Sequence, residues 1–246
     1  SSNKPLPNPV FDFLPEIQNP CNLVSLVAPS LKQKDIFSSL NVLREQGLFH
    51  RFCSHDLSRV LLRCQSDPSA ALSFFNWVRI HLGFQPDVQN CCIMTHILVW
   101  SKNFRKGMEI LSLLIQVNER GIGSDSSKKP DLFENLLLSA ENCNSDAAVF
   151  DMLIKAYLMK GMIKEGFQTF RRMVKLGFLP DLVAVNRLLS SLSKANRSAK
   201  CWRIYGVMIE IGLQPDACTF NTLIDLMCSE GDVDGANRFL DGVEED

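Results

Sequence analysis

Gly177-Phe178-Leu179-Pro180-Asp181 returns 35 residues later as Gly212-Leu213-Gln214-Pro215-Asp216. The same offset carries Met173 to Met208, Asn186 to Asn221, Leu188 to Leu223 and Leu189 to Ile224. One step upstream, Phe150, Leu153 and Ile154 correspond to Val185, Leu188 and Leu189. A period of roughly 20–50 residues marks stacked supersecondary units, each needing its neighbour to cover an apolar face.

The register divides the second part of the chain into repeats 147–181 and 182–216 and an incomplete final repeat 217–246. A third Gly-apolar-x-Pro-Asp ending, Gly83-Phe84-Gln85-Pro86-Asp87, closes a degenerate first repeat over 54–87. Residues 88–120 read as a repeat-like hairpin, with Ile93, Ile97 and Leu98 on one arm and Met108, Leu111 and Leu114 on the other. Fifty residues separate Asp131 from Asp181, so 121–146 breaks the period. It holds a polar loop up to Pro130 and a short helix over 132–141 that is an insertion or a decayed half-repeat. N-terminal helices fill 23–53, the first stopped near Pro29 and the second near Gly47. Residues 1–22 carry Pro5, Pro7, Pro9, Pro15 and Pro20 and read as an extended lead-in. The final repeat stops five residues short of a full unit, which suggests a piece of a longer array.

Within 182–216 the arms are legible. Val185, Leu188, Leu189 and Leu192 recur at helical spacing from about Val183 to Ser193, followed by a turn at Ala195-Asn196. Cys201, Ile204, Tyr205 and Met208 line a second helix, which Gly212 ends and Pro215 keeps from continuing. The expected fold is all-α, a right-handed α-α superhelix of tandem helix-turn-helix repeats.

Composition narrows the function. The chain has 246 residues, 46% of them apolar, and a net charge of -1. Its nine cysteines are odd in number, Cys91 and Cys92 are adjacent, and Cys64, Cys201 and Cys228 fall at core-type positions. They read as reduced, small hydrophobes rather than a disulfide framework. No apolar run reaches the roughly 18 residues that cross a membrane. His50, His55, Cys53 and Cys64 fit no standard zinc spacing, and no Gly-rich phosphate loop or Gly-x-Ser-x-Gly elbow is present. The chain is therefore expected to be no enzyme and to need no cofactor, metal or small-molecule substrate.

The 35-residue unit resembles the pentatricopeptide repeat of plant organelle proteins, in its plain-repeat subclass. Phe220 with Asn221-Thr222-Leu223-Ile224-Asp225 is similar to that family's opening, and Gly231-Asp232-Val233, Ala236 and the Gly-x-x-Pro-Asp endings to its turn, second helix and linker. The likeness covers 147–246 closely, 54–120 more loosely and 1–50 least. It implies single-stranded RNA binding at one base per repeat. On that likeness the fifth and last residues of unit 182–216, Asn186 and Asp216, form the pair the family uses for uracil. Val183 and Cys218 are the clamp on either side of the base, Lys194 contacts phosphate, and Asn221 is the fifth residue of the last unit. Unit 147–181 offers Asp151 with Asp181, two acceptors expected to repel each other, which makes it a spacer.

Plainer readings stand beside these. Asn186 and Asn221 lie near helix starts, where Asn also caps, and Asp216 can cap the following helix. Trp77, Trp100 and Trp202 read as packing residues. Charge is divided: 147–216 holds eleven Lys and Arg against five Asp and Glu, whereas 217–246 holds one against eight. A basic middle suits phosphate, or is only a solvated face. The expected function is sequence-selective binding of organellar transcripts for processing, splicing, stability or translation. The family places this in the mitochondrial matrix rather than the plastid stroma, with organellar RNA-processing or ribosomal proteins as further partners. The alternative is a protein–protein scaffold of the same fold, ribosome-associated, that has lost the code.

Overall fold

The computed structural model describes residues 23–31, 33, 35–120 and 131–244. The expected lead-in 1–22 and the polar loop 121–130 lie outside the described residues. Among the described residues there is no strand, and the helices are α1 (Leu23–Ser30), α2 (Ile36–Glu45), α3 (Ser54–Arg63), α4 (Pro68–His81), α5 (Val88–Trp100), α6 (Phe104–Arg120), α7 (Leu132–Ser139), α8 (Ala148–Met159), α9 (Ile163–Lys175), α10 (Leu182–Lys194), α11 (Ser198–Glu210), α12 (Ala217–Ser229) and α13 (Val233–Glu244). The fold is an all-α array of tandem helical hairpins. It divides into two compact units between Val149 and Phe150, in the first turn of α8.

Each Pro-Asp ending becomes the start of a helix. Asp87, Asp181 and Asp216 are the N-cap residues of α5, α10 and α12, their carboxylates accepting from the N–H of Asn90, Val183 and Thr219. An Asp there satisfies one of the orphan N–H groups of the first turn and places a negative charge at the positive end of the helix dipole. Asp131 does the same for α7. The glycine of the ending closes the preceding helix: Gly177 and Gly212 take φ of 79° and 71°, and the next residue's N–H returns to the carbonyl of Met173 or Met208 at 3.0 and 2.9 Å. The turn between arms repeats as well. Gly161, Asn196 and Gly231 are successive copies of one position, all left-handed, and Asn196 holds it at φ 53° as the commonest non-glycine residue in that region.

In the first unit α1, α3, α5 and α7 pack each on the next, with α2 against α4 and α6 against α5. The α1–α2 pair thus sits as a hairpin of the array, although the sequence likeness is least there. The helix expected over 132–141 ends at Ser139 and packs on α5, as α3 does. Flanked by α3, α4, α6 and α7, α5 is buried at every residue from Asn90 to Val99, as a helix apolar all round must be. His96 lies in that stretch with Nε2 2.8 Å from the Leu136 carbonyl oxygen of α7 and its Nδ1 without a partner. Burial pushes its pKa down to about 4 against the contribution of that hydrogen bond, so the imidazole is neutral and Nε2–H donates. Trp77 is buried beside Phe49 and Phe74, its indole N–H 3.2 Å from Asn41 Oδ1.

The second unit repeats this plan. α10 packs on α9, α11 and α12, and α12 on α13. Leu188, Leu189 and Leu223 are wholly buried, each stabilising by roughly 1.5–3 kcal/mol relative to exposure. Trp202, Tyr205, Phe220 and Phe239 join α11, α12 and α13 through edge-to-face and tilted contacts of 5.6–6.5 Å. The fourth residue of every second arm from α4 onward is small and buried: Ala71, Gly107, Gly166, Cys201 and Ala236. At Gly166 a Cβ would stand 3.3 Å from Leu158 Cδ2 on α8, so the arms cross there at close range.

α1 stops at Ser30, one residue beyond Pro29, as expected. Two expectations are corrected. Cys228, expected at a core position, is exposed near the end of α12, whereas Cys64 and Cys201 are buried. Trp100, the last residue of α5, is half exposed rather than packed. None of the eight described cysteines is in a disulfide, and burial raises Cys91 and Cys143 to about 12 and pushes Cys92 up as well.

Candidate nucleic-acid interface

Asn186 and Asp216 meet. The fifth residue of α10 points back to the N-cap of α12, and Asn186 Nδ2 donates to Asp216 Oδ1 at 2.9 Å. The N-cap of α10 is Asp181 and that of α12 is Asp216, so neither Asn186 nor Asn221 is a capping residue. Asp216 does both tasks proposed for it: one oxygen takes the N–H of Thr219 at 2.9 Å and the amide of Asn186. These donors, the Thr219 N–H first, hold the Asp216 carboxyl below its usual value.

A third side chain, absent from the sequence-level site, completes the junction. Thr219, wholly buried at the third helical residue of α12, donates its hydroxyl to Asn186 Oδ1 at 2.7 Å. The only signal for it in the sequence is a polar residue at a buried helical position just after Pro-Asp.

The other predicted residues sit on the same helices. Val183 and Cys218 are the second residues of α10 and α12, and both are exposed. Asn221 is exposed on α12, and Lys194 is exposed at the end of α10 and makes no ion pair among the described residues. Asn186 itself is only 7% exposed, recessed behind that surface.

The same three positions recur 35 residues upstream with different chemistry. Asp151 Oδ1 accepts the backbone N–H of Asp181 at 2.8 Å, and Lys155 Nζ pairs with Asp181 Oδ2 at 2.6 Å. The expected repulsion between Asp151 and Asp181 is thus answered by a backbone donor and a lysine. Burial raises the Asp181 pKa, but the hydrogen bond from Lys155 and the N–H of Val183 outweigh it and leave it lowered. Ala184 stands where Thr219 stands. At the start of α5, Asn90 donates to Ser58 Oγ at 2.8 Å and to the Ser54 carbonyl at 2.9 Å, and Ser54 Oγ bonds to Asp87.

The basic excess of 147–216 lies mainly elsewhere. Lys164, Arg171, Arg172 and Lys175 are on α9, and Lys200 and Arg203 on α11, with Lys200 over the Phe167 ring at 5.1 Å. On α10, which carries Asn186, the basic residues are Arg187 and Lys194. Among the described residues, no group of three His, Cys, Asp or Glu could hold a metal ion, and no helix is long and apolar enough to cross a membrane.

Residues 148–178 and 183–213 match the family described as PPR repeat, and 211–243 match a second description of the same repeat. Pentatricopeptide repeat-containing protein At5g40400 of Arabidopsis thaliana is 39% identical over 187 residues, covering 75% of this chain and 30% of that protein. Pentatricopeptide repeat-containing protein At1g66345, mitochondrial, of the same plant is 27% identical over 230 residues, covering 90% and 39%. The solved structure of maize PPR10 with an 18-nt psaJ RNA element aligns at 20% identity and a TM-score of 0.35 over 92% of this chain and 40% of that one. This chain spans well under half the length of these relatives. The repeat matches fall on the hairpins described above, and residues 148–178 and 183–243 carry PPR repeats.

Proposed function

We propose that the chain binds single-stranded RNA without catalysis and reads a uracil at Asn186 and Asp216. The observation that carries this reading is the amide of Asn186. One of its N–H groups is committed to Asp216, and one lone pair of Oδ1 to Thr219. What remains is one donor and one acceptor, the pattern that complements the imide edge of uracil. Val183 and Cys218 are the proposed clamp, Lys194 the proposed phosphate contact, and Asn221 the corresponding reading residue of α12. The chain acts on organellar transcripts as a plain-repeat protein, in processing, splicing, stability or translation. A mitochondrial site is supported by the name of one relative.

A second reading, a protein–protein scaffold, is favoured by the occupied Asp151–Asp181 junction and by the acidic residues of 217–246. Filter binding across a salt series separates the two. RNA binding must weaken as salt rises, Asn186→Thr must move preference from uracil toward guanine, and Lys194→Ala must weaken all sequences alike with a flatter salt slope. Absence of RNA binding at low salt leaves the scaffold.

A further inference from the structure

We infer that Thr219 is a positioning residue of the base-reading site, acting through Asn186 to decide which edge of the amide a base meets. This rests on the RNA-reading proposal above and names a residue outside its pair. Thr219 has one hydroxyl proton and two acceptors in range, Asn186 Oδ1 at 2.7 Å and Asp216 Oδ1 at 3.1 Å. That oxygen of Asp216 already accepts the Thr219 N–H and the Asn186 amide at 2.9 Å each. Asn186 Oδ1 accepts from no other donor among the described residues and is the nearer, so the proton goes there.

The consequence is a fixed polarity. With the amide turned over, its oxygen would face the Asp216 carboxylate with no proton between them, and the hydroxyl, now accepting from the NH₂, could give its own proton only to the already occupied Asp216 Oδ1 at 3.1 Å. Thr219 is wholly buried and cannot be replaced in this by water. The position is used differently elsewhere in the chain. Asn90, at the third helical residue of α5, donates outward to Ser58 Oγ, and Ala184 of α10 can donate nothing from its side chain. At the α5 junction a hydroxyl also reaches an amide oxygen, Ser54 Oγ to Asn90 Oδ1 at 2.9 Å, but there the amide belongs to the third helical residue, whereas at Asn186 it belongs to the fifth residue of the repeat.

The test uses the full chain with ten-nucleotide oligo(U) and oligo(C), by NMR titration, which reads weak binding. Cytosine presents a donor and an acceptor in the reverse order to uracil, so a loosened amide should accept it more readily. Thr219→Val keeps shape and removes the hydroxyl. It should lower the oligo(U) to oligo(C) affinity ratio about fivefold, the worth of one hydrogen bond, and shift the side-chain amide resonances of Asn186. Thr219→Ser should restore both. A merely structural role would lower thermal stability and both affinities together and leave the ratio unchanged, and that outcome overturns the inference. Asn186→Ala in the same assay separates the failures. Selectivity lost there but kept in Thr219→Val defeats Thr219 alone. Selectivity that neither variant alters defeats the base-reading proposal and this inference with it.

Discussion

Two junctions 35 residues apart, Asn186 with Asp216 and Asp151 with Asp181, share a backbone and differ in what their side chains have left to offer. In both, the fifth residue of a repeat meets the N-cap that opens the next. At Asp151 the partners are a main-chain N–H and, through Asp181, the ammonium of Lys155. At Asn186 they are a carboxylate and a hydroxyl, and the amide keeps a donor and an acceptor free of them. A carboxylate can only accept, so the first junction is saturated by structural donors and serves to hold the hairpins in register. The second can hold them and still address a ligand.

Asn186→Asp breaks the comparison most severely. The new carboxylate would lie beside Asp216 with no counterpart of Lys155, since Ser190 occupies that place. We expect a loss of about 2–3 kcal/mol at neutral pH. Its folded-state pKa is raised, so the loss grows as pH rises above the unfolded value and recedes toward pH ~4. Denaturant melts at several pH values measure this, and an unchanged midpoint would mean that the junction tolerates paired acids.

The reverse exchange should create a second reading site. Asp151→Asn with Ala184→Thr reproduces the Asn186 junction, and oligo(U) affinity should rise about tenfold, the lower part of the range for one stacked base. No gain would show that Lys155 and Asp181 keep the site closed whatever the fifth residue.

Lys155→Ala sharpens the contrast at smaller cost. The Lys155–Asp181 pair is partly exposed and should contribute at most about 1 kcal/mol, much of it gone in 1 M salt. The bonds of Asp216 to Asn186 and Thr219 should show little salt dependence. Acid sets the last comparison. Both Asp181 and Asp216 are lowered from 3.8, so the stability each gives is complete above that value and is lost as pH falls below it. In Lys155→Ala the acid loss should shrink for the Asp181 junction alone, visible in the side-chain carboxyl titration by NMR.

Much of this was legible in the sequence because a repeat search sees whatever is repeated. Gly177 and Gly212, the Pro-Asp endings and the apolar positions of α10 and α12 recur because each copy must close a helix, start the next and cover a neighbour. Compensations escape such a search. Lys155 has Ser190 as its counterpart, so nothing in the period points to it as the answer to Asp181. Thr219 looked like an ordinary first-turn residue, because its role depends on an oxygen 33 residues away. The α1–α2 pair had lost the motif while keeping the apolar faces that dock it on α3 and α4, and Asn196 hid a left-handed turn behind a residue that is neither Gly nor Pro.

The small residues at the fourth position of the second arms give the array its mechanics. Where Gly166 meets Leu158 and Cys201 sits buried under α10, two helices touch through side chains with almost nothing to compress. Sliding one arm on the other would open a dry gap or force a clash, and both rise steeply over tenths of an ångström. Successive first arms such as α10 and α12 share a hydrophobic contact too, but at their N-terminal edge they are tied by hydrogen bonds that meet at Asp216, which is exposed, so water competes there first. Each hairpin is thus a stiff bar, and the compliance of the chain is concentrated at the edge where a base would have to enter.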